Sequence, residues 1–163
     1  MQSSGDGFVT LADGTRRWGR FGAAGVLVRW ADGDSQGAWW YFLARRSQWC
    51  HQGECWAIPG GALHKGEPPV EGALREFAEE VGPVLRDGEF RVVDVHEDDH
   101  GGWSYWTVIV EVPQRFAVPA AAELNWETAE AGWIPDHRLP GLELHSAFRR
   151  TLLRLRFLGD SEE

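Results

Sequence analysis

Glu76, Glu79 and Glu80 stand at i, i+3 and i+4 within the stretch Gly60 to Gly82. On a helix turning about 100° per residue they share one face. Like charges so placed repel one another and weaken the helix that carries them, so a cation should sit among them. Arg75 can reach Glu79 at i+4, and Glu67 across the preceding loop, but one guanidinium does not balance the cluster. A hard divalent ion does: Mg²⁺ takes oxygen ligands, keeps several waters and is usually shared with substrate phosphates. A solvated acidic face is the competing account of a charge run. The long, fixed spacing of Gly, Glu, Arg, three Glu and Gly speaks against it.

The element that must position these carboxylates is a helix over 70–81. Pro68 and Pro69 suit its first turn, where a missing N–H costs nothing. Gly82-Pro83 suits its end, with Gly82 as a left-handed cap and Pro83 barring continuation. Val70, Ala73, Leu74, Phe77 and Val81 then gather on one apolar face. Gly72 falls on the carboxylate side, where lack of a side chain would leave room for a ligand.

The whole spacing, Gly61-x5-Glu67-x7-Arg75-Glu76-Phe77-x-Glu79-Glu80-x-Gly82, resembles the signature box of the Nudix hydrolases at every polar position and every Gly. Pro83 departs from it, standing where that family has an aliphatic residue. The resemblance implies an α/β/α sandwich with a mixed β-sheet between helices. It also implies an enzyme that uses Mg²⁺, with Mn²⁺ as a substitute, to cleave a nucleoside diphosphate linked to a moiety X. The products are a nucleoside monophosphate and phosphorylated X. Carried over, Glu79 and Glu80 match direct metal ligands, and Glu76 matches a position that ligates metal or orients the attacking water. The Gly60 carbonyl is similar to a backbone metal ligand, and Glu67 and Arg75 match an ion pair that braces the loop. Phosphoanhydride cleavage needs neutralised phosphate charge and a water in line. Two or three Mg²⁺ in the carboxylate nest supply the first; one of the Glu residues, or the metal, prepares the second.

Outside the box, Glu127 precedes Trp133 by six residues, as does a loop Glu in the triphosphate-cleaving Nudix members that approaches the metals and can act as a base. An exposed loop carboxylate is the alternative, and Glu130 is a weaker candidate for the same role. Glu97-Asp98-Asp99-His100 could enter the site from a hairpin tip or simply be solvated. Arg46 matches a substrate-contacting position, with Arg45 beside it, and a guanidinium suits phosphate; a surface salt bridge would also account for either. Trp49, Trp56, Trp103 and Tyr105 flank this region and could stack on a base or pack in the core.

X is approached by elimination. The Pro that marks ADP-ribose-cleaving members and the Tyr of dinucleoside-polyphosphate members are both missing from the stretch around Glu97 to His100. Leu43-Ala-Arg-Arg-Ser47 echoes a coenzyme A motif only weakly, and the Arg expected further along is replaced around His51. The reading is a nucleoside-triphosphate pyrophosphohydrolase, oxidised nucleotides among its candidates. An ADP-ribose or other nucleotide-sugar pyrophosphatase is the alternative. A non-catalytic nucleotide sensor is the rival of another class, but such domains usually lose box carboxylates and none is lost here.

With 163 residues, 43% of them hydrophobic, and ten Trp, the chain is expected to form one domain (1–163) with its own core. Residues 1–18 read as a loose N-terminal arm, a short strand being the alternative, with an apolar island at Phe8, Val9 and Leu11. No run reaches membrane-span length and no targeting segment opens the chain, so a cytoplasmic protein without membrane contact is expected. A formal charge of −9 argues against gripping duplex nucleic acid, though not against a small nucleotide held through metal. Cys50 and Cys55, with His51, are too few for a structural zinc site and read as reduced thiols. Strands are expected over 21–30, 39–46, 56–58, 90–95, 105–112 and 131–134, with turns at 31–37 and 97–102 and one helical turn at 120–124. The last helix is expected over 145–158, burying Phe148, Leu152, Leu155 and Thr151. Oligomeric state is not written in the sequence.

Overall fold

A computed structural model describes residues 3–34, 38–50 and 52–158; His51 and residues 35–37 of the expected 31–37 turn lie outside them. Strands β1 (Phe8–Thr10) and β2 (Arg16–Trp18) form a hairpin in which Phe8 faces Trp18. Then come β3 (Ala23–Asp32), β4 (Ala38–Arg46), β5 (Trp56–Ala57) and β6 (Gly60–Ala62), followed by helix α1 (Pro69–Val81). Strands β7 (Arg91–Asp99) and β8 (Ser104–Glu111), a 3₁₀ turn at Ala121–Glu123, β9 (Thr128–Pro135), a 3₁₀ turn at Asp136–Gly141 and helix α2 (Ser146–Arg154) complete the order.

The main sheet runs β5-β4-β3-β8-β7, with β9 on β4 and β6 on β3. It is mixed, because β3 pairs parallel with β8 and antiparallel with β4. Alternation along the strands sends side chains to opposite faces. Val26, Val28, Phe42, Val108 and Val110 pack with Ala73, Phe77 and Val81 of α1. Leu27, Tyr41, Leu43 and Ile134 face the other way, onto Leu144, Phe148 and Leu152. The sheet therefore lies between two helical layers, the expected α/β/α sandwich. No helix among the described residues is long and apolar enough to cross a membrane.

Several boundaries differ from expectation. The N-terminal arm is a tied hairpin: the Arg20 N–H donates to the Gly5 carbonyl and the Lys65 N–H to the Ser3 carbonyl. The 90–95/105–112 hairpin is longer than its apolar content suggests, so Glu97, Asp98 and Asp99 lie in β7 and not at the tip. Asp98 is buried and paired with Arg154 of α2 and with His100. Helix α2 stops at Arg154, and Arg156 takes a φ of 60°; Leu158, not Leu155, then turns into the core. Gly82 has a φ of 111° with ψ 176°, so it needs glycine's freedom without forming the expected left-handed cap. Gly72 is buried against Leu63, with Glu67 Oε2 also close to where a Cβ would stand. Its missing side chain makes room for the loop before α1, not for a ligand.

Candidate active site

The turn from β5 into β6 is squeezed against β3. A Cβ on Gly60 would come within 2.7 Å of the Gly25 Cα and 2.8 Å of the Tyr105 hydroxyl, and one on Gly61 would strike the Glu76 carboxylate. Glycines at 60 and 61 therefore let α1 bring its carboxylates onto the backbone of β6. The loop between β6 and α1 is fixed from inside. Glu67, its side chain 5% exposed, takes Arg75 Nε at 2.8 Å and Nη2 at 3.0 Å, and accepts the His64 N–H at 2.9 Å. Arg75 Nη2 also donates to the Ala62 carbonyl at 2.9 Å. Arg75 holds the Glu67 carboxyl below its ordinary value, against the effect of burial, and its own guanidinium is held well above.

Arg75 is thus placed as a brace. Arg75→Ala would leave Glu67 buried without its main counter-charge, at about 3 kcal/mol, the low end for breaking such a pair. Stability and activity should fall together, read as Tm beside kcat. Lost substrate affinity at unchanged Tm would make Arg75 a ligand instead.

Arg75 reaches the acidic face as well, at 2.8 Å to Glu76 Oε1 and 3.3 Å to Glu79 Oε1. Glu79 is more than half exposed. Glu80 lines a cavity of about 30 Å³ with Gly60, Arg46, Ile58, Glu127 and Thr128. Burial pushes the Glu80 carboxyl up to about 8, and the charges of Glu127 and Glu76 add to the effect; the Gly60 N–H and Arg46 oppose it. Burial also raises the Glu76 carboxyl, with Arg75 working against the rise.

The other expected residues are distributed differently. Arg45 is ion-paired with Glu130, its partner across β4–β9, at 3.1 Å, with Arg45 and Arg46 separated by a bulge in that register. Trp56 packs against the α2-side core, clear of the Glu80 cavity. Trp103 is buried, its indole N–H donating to the Gly19 carbonyl at 2.9 Å. Tyr105 sits beneath Gly25 and Gly60, its hydroxyl pushed far up by burial. Trp49 is 79% exposed. Cys50 and Cys55 are free thiols. Thr128, which borders the Glu80 cavity, carries no sequence signal beyond adjacency to Glu127.

A divalent cation fits this donor set. The side chains near Glu80 offer carboxylate oxygens, and burial, with repulsion from Glu127 and Glu76, pushes the Glu80 carboxyl up to about 8; a bound cation would offset both effects. Among the described residues no three acidic, His or Cys side chains converge as a finished cage, and Glu76 is held by Arg75. Millimolar Mg²⁺ or Mn²⁺ is therefore expected to raise Tm, and Glu79→Gln to blunt the rise. A melting curve indifferent to metal would remove the site.

A NUDIX domain model matches residues 19–155. A Nucleoside triphosphate pyrophosphatase/Nudix hydrolase fusion protein of Bifidobacterium longum is 38% identical over 150 residues, covering 91% of this chain but only 30% of its own length. A Mycobacterium tuberculosis protein named "Putative 8-oxo-dGTP diphosphatase 3" is 35% identical over 161 residues, 96% of this chain and 71% of its own. Among solved structures, the Nudix hydrolase RenU of M. smegmatis superposes with a TM-score of 0.79 at 35% identity, covering 93% of each chain.

Proposed function

The chain belongs to the Nudix family, and from that premise we propose that it is a metal-dependent pyrophosphohydrolase of nucleoside triphosphates, oxidised purine nucleotides among them. The observation that carries the reading is the Glu80 cavity, where the buried Glu80 carboxyl, Glu127 and the Arg46 guanidinium meet against Gly60 of β6. Its volume suits ions and single waters, so the nucleotide would lie across its mouth. Bound Mg²⁺, with Mn²⁺ as a substitute, would neutralise phosphate charge and ready a water for attack. Glu76, Glu79, Glu80 and Glu127, with the Gly60 carbonyl, would hold it.

Arg46 would take phosphate oxygens, as a guanidinium fork does best. Glu127 would accept the proton of the attacking water as its oxygen bonds to phosphorus and the bridging P–O bond between the α- and β-phosphates breaks, separating the nucleoside monophosphate from pyrophosphate. The triphosphate preference is supported by the six-residue spacing from Glu127 to Trp133 and by the names of the relatives. Such an enzyme would act on free nucleotides in the cytoplasm. Purified protein with Mg²⁺ against nucleoside triphosphates, 8-oxo-dGTP, ADP-ribose and dinucleoside polyphosphates, with the phosphate products identified, tests the reading. Pyrophosphate plus a nucleoside monophosphate is expected. Turnover of ADP-ribose alone would overturn it.

A further inference from the structure

Trp49 and Trp126 are the two most exposed large apolar side chains among the described residues, at 79% and 71%. Single exposed tryptophans are unremarkable on a surface. These two, from separate loops, line one groove of about 480 Å³, a volume in the range of small-molecule sites. Gln48, Asn125, Arg45 and Thr128 line it as well. Thr128 also borders the Glu80 cavity, so the two spaces share a wall.

We propose that this groove receives the base of the nucleotide, with Trp49 and Trp126 as its stacking walls. The proposal rests on the Glu80 cavity being the phosphate-cleaving centre. Every base has a π-face, and an indole offers a broad, rigid partner for it. A water-exposed indole gains by covering that face, which accounts for two tryptophans left open beside one cavity. Side-chain amides can pair with base edges, and Gln48 and Asn125 supply two. Asn125 Oδ1 already accepts the Glu127 N–H at 3.2 Å, which leaves its NH₂ to donate. The groove is mechanically tied to the centre: the Ser47 N–H donates to the Glu127 carbonyl at 2.8 Å, joining the Trp49 loop to Glu127. A base seated between the tryptophans would therefore steady the segment that carries Glu127. Specificity would then appear partly in kcat as well as in affinity.

The test is equilibrium titration with two probes, GDP and inorganic pyrophosphate, each with Mg²⁺. The wild-type protein is expected to bind GDP at least tenfold more tightly than pyrophosphate. Trp49→Leu and Trp126→Leu should each weaken GDP about 5- to 100-fold, the range that loss of one stacked aromatic gives. Pyrophosphate affinity and Tm should stay as they were. Equal binding of the two probes by the wild type, or wild-type GDP affinity in both variants, overturns the proposal. If a Leu variant loses both probes, Trp126→Phe or Trp49→Phe must restore GDP binding for the subsite to stand. The outcome is separable from the proposed reaction. Base-dependent binding without triphosphate cleavage would leave the subsite and remove the reaction; cleavage with no base dependence would do the reverse.

Discussion

Glu80→Gln is expected to lower kcat by about a hundred- to a thousandfold, in the range lost with one preorganised charge-stabilising group, while making the metal-free protein more stable. The two effects share a cause. In the absence of metal the Glu80 carboxyl sits near 8, above an ordinary value of 4.5, because it is buried beside Glu127 and Glu76. The folded state therefore holds that proton more tightly than the unfolded chain. The stability this confers is complete below about 4.5 and is lost as pH rises through about 8. The metal-free protein should thus melt progressively lower across that window, and Gln, which never ionises, should flatten the slope. At pH 8.5 the variant should melt roughly 2–8 °C above wild type, given a few degrees per kcal/mol for a chain of this size. Saturating Mg²⁺ should narrow or invert the difference, since only the wild type gains the full ligand set. Thermal melts at pH 5, 7 and 8.5, with and without Mg²⁺, read both signs. A variant less stable than wild type at every pH without metal would show that Glu80 is structural.

What the sequence discloses here follows the range of the interactions. The Arg75 contacts with Glu67 and Glu79 are eight residues apart or fewer, and helical spacing alone makes them visible. The two faces of β4 are visible for the same reason: Phe42 and Tyr41 part company because side chains alternate. Interactions between distant segments are not visible in this way. Asp98 reads as a member of an acidic tip because its partner, Arg154, lies 56 residues on. Trp56 reads as a stacking candidate because nothing local shows that Leu144 and α2 close over it. The groove between Trp49 and Trp126 is hidden for the same reason, since its walls are separated by 77 positions in the chain. The early stop of α2 depends on the backbone turn at Arg156, where no Gly or Pro gives warning.

Glu127→Gln is expected to cut turnover by roughly ten- to a thousandfold, while Asp98→Asn damages the fold and Asp99→Asn does little. Glu127 borders the small cavity with Glu80 and carries a charge that Glu80 feels. Its segment is held on both sides: its carbonyl takes the Ser47 N–H at 2.8 Å, and Asn125 Oδ1 takes its N–H at 3.2 Å. Those contacts fix its backbone, and the side chain is exposed, as the loop-carboxylate alternative expects; an exposed carboxylate on a fixed segment suits the role of a base or a metal ligand. The Asp98 carboxylate is itself held, but elsewhere. Burial works to raise its carboxyl, yet the charges of His100 and Arg154 outweigh that and leave it below its ordinary value. It joins β7 to α2, and through His100 Nδ1, 3.2 Å from Arg17 Nη2, to the N-terminal hairpin. Removing its charge should cost about 1–2 kcal/mol, less than a fully buried pair because Arg154 is more than half exposed. Asp99, at the exposed end of β7, accepts the Gly101 N–H. The measurement is kcat with saturating Mg²⁺, paired with Tm, for the three variants. A normal Tm with dead turnover in Asp98→Asn, and normal turnover in Glu127→Gln, would move the last carboxylate of the site from the β9 side to the β7 strand.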